Sequence, residues 1–239
     1  MQGKDDDKGL EWQAGIWDQM SKIYAEEVDE RFVPVIEGVI ARAALSPGEQ
    51  VLDLGTGTGS VTFYAAPCVG ADGFVIGSDI SLDMLRCASA RARKLGLQNV
   101  AFREGGAESI PAKNDSFDVV LASLSLMYVI DRAKAAREIA RVLRNDGRLV
   151  AAVWGQPDEC DIVRFQDAAA RFAPRPPVEG VGPGSMQDCS EFIEQLAHVG
   201  LRARVESASL GFGFEDFDSA WNVLALSLIH ISEPTRPTT

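Results

Sequence analysis

The sequence predicts an α/β fold in which helices wind onto both faces of a mostly parallel sheet. Three observations predict it. Val51, Leu52 and Leu54 form the continuous apolar run that a central parallel strand needs, and glycines follow at alternate positions, Gly55, Gly57 and Gly59. Phe74-Val-Ile-Gly-Ser-Asp79 is a second apolar run, and like the first it carries an acidic residue towards its end. Beyond it, apolar runs and amphipathic segments keep alternating, the rhythm of βαβ units whose ligand sits at the carboxyl ends of the strands.

The elements can be read in order. Residues 4–8, Lys-Asp-Asp-Asp-Lys, are a charge run resembling a protease-tag remnant, so residues 1–10 are set aside as a disordered or tag-like end. The globular domain is expected over 11–225. From Glu11 to about Leu45 the pattern is helical, with Trp12, Ile16, Met20 and Tyr24 spaced to share one face. The strand at 51–54 leads into a helix near 60–67, followed by the strand at 74–79. Ser81 is a suitable N-cap for the next helix, which carries Leu82, Met84 and Leu85. Strands are expected near 99–103, 117–122 and 148–154.

Residues 156–186 break the rhythm. Val163, Phe165 and Phe172 mark an amphipathic segment, and the Pro- and Gly-rich stretch 173–184 follows. The segment reads either as a cap or lid over the acceptor side of the pocket or as a plain surface loop. Asp188 and Glu191 open a helix that stops at Gly200, and Val205 to Leu210 reads as a sixth strand. Residues 226–239 look like translated adaptor sequence, a non-native tail standing where a last strand belongs.

Composition narrows the function. A chain of 239 residues with a net charge of −12 repels a phosphodiester backbone, which argues against a nucleic-acid substrate and for a small neutral or cationic one. No apolar run approaches the roughly 20 residues of a membrane span, and the N-terminus lacks a signal-like core, so a cytoplasmic protein is expected. Cys68, Cys87, Cys160 and Cys189 show no C-x-x-C spacing, and only His198 and His230 could join them. No metal site is expected, and the cysteines read as reduced structural thiols. The oligomeric state is not legible.

Glycines beside a strand end let a ligand approach the backbone, and an acid ending the next strand can accept hydrogen bonds from two ribose hydroxyls. Two families build such a site, and spacing separates them. The dinucleotide fingerprint G-x-G-x-x-G/A would need a third small residue where Ser60 stands. This chain has G-x-G-x-G preceded by Asp53, which resembles motif I of the class I S-adenosylmethionine-dependent methyltransferases. The resemblance continues through Asp79-Ile-Ser-x-x-Met84, Gly105-Gly-Ala-Glu-Ser-Ile-Pro111, Ser116-Phe-Asp-Val-Val-Leu121 and Arg141-Val-Leu-Arg-Asn-Asp-Gly-Arg-Leu-Val150. It covers residues 15–155 best and is nearest to the small-molecule branch that includes ubiquinone and menaquinone biosynthesis.

The resemblance implies a Rossmann-like sheet whose last strand would return antiparallel between the fifth and sixth. It also implies S-adenosyl-L-methionine as cofactor and a small-molecule acceptor. Gly55, Thr56, Gly57 and Gly59 would line the methionine part of the donor, and Asp53 would orient its ammonium directly or through water. Asp79 would hold the ribose, Ile80 and Met84 would flank the adenine, and the Ala107 N–H would meet a ring nitrogen. Where the family carries an acid for the adenine amino group, this chain has Gly106, which leaves that contact weak or hands it to Glu108. The Ser123 carbonyl would face the donor ammonium. Trp17, Tyr24, Met127, Tyr128 and Trp154 are the candidates for the acceptor side, each also readable as core or rim. No general base stands out; Asp158 and Glu159 follow the fifth strand but read more simply as solvated loop, and no catalytic residue is assigned. A non-catalytic donor-binding module and a nicotinamide-dependent dehydrogenase remain as alternatives.

Overall fold

The computed structural model describes residues 2–171, 177–216, 218, 220 and 221. Helix α1 (Gln2–Ile23) passes into a π-helical turn, Tyr24–Val28, and then, after a short turn, into α2 (Val33–Ala43). The wound part follows as β1 (Gln50–Leu54), α3 (Ser60–Val69), β2 (Phe74–Asp79), α4 (Leu82–Lys94) and β3 (Val100–Glu104). It continues with β4 (Phe117–Ser123), a 3₁₀ turn Leu126–Tyr128, α5 (Arg132–Val142) and β5 (Leu143–Ala152). Helices α6 (Asp161–Ala170) and α7 (Ser190–His198) come after the sheet, separated by a 3₁₀ turn at Pro183–Met186.

The five strands are all parallel and lie in the order β3-β2-β1-β4-β5. The winding therefore reverses between β1 and β4, which leaves a crevice at their carboxyl ends. Strand pleat sorts the core. Val51, Val119 and Leu121 pack on one face with α2 and α3, through Ile36, Val39, Val61 and Ala65. Leu52, Leu54, Val120 and Ala122 pack on the other face with α5 and α7, through Ile139 and Leu196. Successive side chains point to opposite faces, so a strand buried on both must be apolar throughout; each buried aliphatic side chain contributes about 1.5–3 kcal/mol.

Local chemistry fixes the boundaries. Ser81 caps α4, its hydroxyl accepting from the Met84 N–H at 3.1 Å, and Gly200 follows α7 at φ +88°. Asp131 caps α5 by accepting from the Lys134 N–H at 2.8 Å. Strand β5 starts five residues earlier than expected: Leu143 pairs with Phe117, and the ladder resumes only at Arg148 against Val119. Residues 144–147 thus bulge out of register.

Two expectations are corrected. Residues 2–10 belong to α1, with Gly9 buried, because the charge run contains no proline or β-branched residue to stop a helix. Residues 205–210 form no strand and are exposed. Among the described residues β5 is an edge of the sheet, and this segment does not pair with it. Residues 156–186 fold partly into helix, and Val178 packs towards Gly9 of α1. Phe172, the stretch 173–176 and the tail 226–239 lie outside the described residues. No helix among the described residues is long and apolar enough to cross a membrane.

Candidate donor and acceptor cavity

A cavity opens at the switch between β1 and β4. Its floor is the turn after β1, where Gly55 and Gly57 adopt φ +73° and +55°. Gly55 is required by crowding, since a Cβ there would stand 2.4 Å from the Ser125 Cβ. Ser125 itself is held by donating to the Leu54 carbonyl at 2.7 Å, and the preceding Leu124 takes a left-handed φ of +54° to make that turn. Gly57 differs: a Cβ there would meet only the Met84 sulfur at 4.0 Å, on the cavity wall.

Asp79 joins the floor to the next strand end. One carboxylate oxygen accepts from the Gly57 N–H at 2.8 Å and the other from the Ser81 N–H at 2.9 Å. Burial pushes its pKa up, and hydrogen bonds from Ser81, Gly57 and Ile80 oppose that push. The carboxylate keeps lone-pair capacity beyond these bonds, and the residue lines the cavity. Ile80, Met84, Gly106, Ala107 and Glu108 form the wall beside it.

The roof comes from the N-terminal helices. Gln13 of α1 donates its side-chain amide to the Tyr128 carbonyl at 3.0 Å. Asp18 accepts from the Ser81 hydroxyl at 2.6 Å and the Asp83 N–H at 3.1 Å, at the start of α4. Asp29 accepts from the Thr58 hydroxyl at 2.5 Å and from Arg91, which also donates to the Thr58 carbonyl. Between these ties Trp17 stands edge-on to Tyr24 and Tyr128, with centroids 6.1 and 5.1 Å away. Burial raises both tyrosine pKa values, so the phenols stay neutral and can donate hydrogen bonds.

Of the residues singled out in the sequence, Gly55, Thr56, Gly57, Asp79, Ile80 and Met84 border the cavity. So do Gly106, Ala107, Ser123, Trp17, Tyr24 and Tyr128. Four do not. Asp53 is fully buried behind the floor, one oxygen accepting from Thr56 and Thr62 at 2.6 and 2.8 Å and the other without a partner. Burial raises its pKa to about 6 against those two hydroxyls. Gly59 serves packing instead, since a Cβ would come within 2.5 Å of the Phe63 ring. Met127 is completely buried in the core, with its carbonyl accepting from Gly182 and Ser185. Trp154 packs edge-on to Phe32 and Phe212 outside the cavity wall. The cap segment 156–186, Asp158 and Glu159 included, contributes no lining residue among those described.

The sequence reading did not pick out Gln13, Asp29 or Phe32, which line the roof. Only the amphipathic spacing of the N-terminal helix hinted that something packs there. No group of three or more His, Cys, Asp or Glu among the described residues could hold a metal ion.

Comparison with known proteins agrees with this architecture. The sequence profile of a family described as a methyltransferase domain matches residues 45–168. The chain is 38% identical over 134 residues to the nocamycin O-methyltransferase of Saccharothrix syringae, covering 56% of this chain and 48% of that protein. It is 40% identical over 123 residues to the ubiquinone/menaquinone biosynthesis C-methyltransferase UbiE of Vibrio campbellii, covering 51% and 48%. It thus spans about half the length of the curated relatives it matches. Among solved structures it resembles YcgJ of Bacillus subtilis at 28% identity and a TM-score of 0.54, over 67% of this chain and 66% of that one. It also resembles a SAM-dependent methyltransferase of Aquifex aeolicus at 25% identity and a TM-score of 0.57, over 76% and 88%.

Proposed function

The chain belongs to the methyltransferase-domain family, and from that premise we propose that it is an S-adenosylmethionine-dependent methyltransferase acting on a small molecule. One observation carries the reading: Asp79 and the Gly55–Gly57 turn are bonded into a single surface, with spare carboxylate capacity beside a glycine whose missing Cβ leaves the cavity open. That surface fits a ribose diol on the acid and a chain passing over the turn. S-adenosylmethionine, when bound, supplies a methyl group on a sulfonium, already attached to a good leaving group.

The residues of the chain then have binding and orienting work. Asp79 would hold the ribose, Ile80 and Met84 would flank the adenine, and Ala107 would offer its N–H to the ring. Gly55, Thr56 and Gly57 would carry the methionine part, with the Ser123 carbonyl near its ammonium. Trp17, Tyr24 and Tyr128 would form an aromatic wall against a flat acceptor or a sulfonium. Asp53 is reassigned: its hydrogen bonds to Thr56 and Thr62 shape the turn from behind.

Among the described residues the cavity wall carries three carboxylates, Asp29, Asp79 and Glu108, and no lysine, arginine or histidine. An anionic acceptor would find no counter-charge there, so the acceptor is uncharged or cationic, and the net charge of −12 disfavours nucleic acid. Lacking a histidine or lysine base, the site would act chiefly by alignment and exclusion of water. The same lack supports a second reading, a donor-binding module without catalysis, which turnover of any acceptor would rule out. Calorimetric titration with S-adenosylmethionine, S-adenosylhomocysteine and NAD tests the proposal. Binding of the two sulfur nucleotides alone is expected, and NAD binding in their place would overturn it.

A further inference from the structure

The Met127 carbonyl is held from outside the cavity by three donors. The Gly182 N–H reaches it at 2.9 Å, the Ser185 hydroxyl at 2.6 Å and the Arg132 guanidinium at 3.4 Å. The same Arg132 nitrogen, Nη2, donates to the Gly180 carbonyl at 2.8 Å and to the Ser185 oxygen at 2.7 Å. Residues 180–185 are thereby clasped to the 3₁₀ turn Leu126–Tyr128, although none of them lines the cavity. Tyr128, one residue beyond the clasped carbonyl, does line it and stands edge-on to Trp17. Its own carbonyl accepts from Gln13 in the roof. The two peptide groups that flank Tyr128 are therefore both held by other elements, the preceding one by the cap segment and the following one by α1.

A turn this short needs such support. Its own backbone bonds run from the Tyr128 N–H to the Ser125 carbonyl at 3.0 Å and from the Val129 N–H to the Leu126 carbonyl at 3.2 Å, and bonds of the 3₁₀ type are poorly aligned. Arg132 is otherwise an unfavourable residue for its place. It opens α5, where the helix dipole disfavours a cation. Burial pushes its pKa down, and its Nε is buried with no partner among the described residues. Every oxygen that its guanidinium reaches is neutral. What the side chain supplies is one nitrogen that joins oxygens of both segments. We propose that Ser185 and Arg132 are positioning residues for Tyr128, so that the cap segment after β5 sets the acceptor wall by clasping the turn that carries it, without entering the cavity. The proposal rests on the reading of Tyr128 as acceptor wall given above.

Ser185→Ala removes the shortest bond of the clasp, and Ser185→Thr keeps it. Hydrogen exchange followed by mass spectrometry reads the turn, and calorimetric titration with S-adenosylhomocysteine, then with 2-naphthol as a flat probe on the saturated protein, reads the two sides of the cavity. In Ser185→Ala the Tyr128 and Val129 amides are expected to exchange at least about tenfold faster while those of β1 and β4 stay protected. Affinity for 2-naphthol should fall at least about fivefold and that for S-adenosylhomocysteine should not move. Ser185→Thr should keep the wild-type values, and Arg132→Met should repeat the loss from the other side of the clasp. Unmoved 2-naphthol affinity in both Ser185→Ala and Arg132→Met, whether or not exchange quickens, overturns the positioning role. A wild type that binds S-adenosylhomocysteine but not 2-naphthol overturns the acceptor-wall reading and this inference with it, while one that binds neither overturns the donor assignment as well.

Discussion

Gly57 and Gly59 belong to one motif, yet the structure gives them opposite jobs, and alanine at each separates the two. At Gly57 the backbone is left-handed, φ +55°, and an added Cβ meets only the Met84 sulfur at 4.0 Å. The cost to folding is the conformational one alone, about 1–2 kcal/mol. That Cβ projects into the cavity, where a methyl group displacing the donor should cost at least about 1.4 kcal/mol, or tenfold in affinity. At Gly59, φ is +92° and the Cβ would lie 2.5 Å from the Phe63 ring and 3.0 Å from the Ala88 Cβ. Overpacking adds about 1–3 kcal/mol to the conformational cost there, but the position is behind the wall. Urea unfolding and S-adenosylhomocysteine titration on each variant give the two numbers. Gly57→Ala should lose affinity out of proportion to stability, and Gly59→Ala should lose stability while its folded fraction binds normally. Wild-type affinity in Gly57→Ala would refute the assignment of that turn to the ligand.

Three further outcomes are expected. Asp53 has its pKa raised to about 6 from 3.8 by burial, so its contribution is fully present below the unfolded pKa and is lost as pH rises through 6; the stability of Asp53→Asn relative to wild type should therefore improve by about 2 kcal/mol between pH 4 and 7, and a flat difference in urea unfolding across that range contradicts the buried placement. Asp79→Asn must turn an NH₂ towards either the Gly57 or the Ser81 N–H, which should lower S-adenosylhomocysteine affinity at least about tenfold; calorimetry checks it. Trp17 lines the cavity and Trp154 does not, so a change in tryptophan fluorescence on ligand addition should vanish in Trp17→Phe and persist in Trp154→Phe.

The parts of the site that were legible in the sequence are those where one residue type is forced locally. A strand buried on both faces must be apolar throughout, so β1 and β2 could be read from Val51–Leu54 and Phe74–Asp79, and an acid at the second strand's end marked Asp79. Gly55 and Gly57 were legible for the same reason, because a left-handed turn at a cavity wall admits little else. The misreadings arise where side-chain packing decides. Phe63 and Thr62 lie near Gly59 and Asp53 in the chain, but that Phe63 and Ala88 crowd Gly59 and that Thr62 donates to Asp53 is set by how α3 and α4 pack. Trp154 is an aromatic residue of the kind that binds an acceptor, but it packs edge-on against Phe32 and Phe212. The roof is the clearest case. Gln13, Asp18 and Asp29 are ordinary polar residues of N-terminal helices by pattern, and only the fold shows them tied to Tyr128, Ser81 and Thr58. Those ties run from three places along the roof to three different loops at the strand ends. Enclosure of the cavity is therefore a property of tertiary pairing, while the donor floor, fixed by backbone conformation, is a property the local sequence can specify.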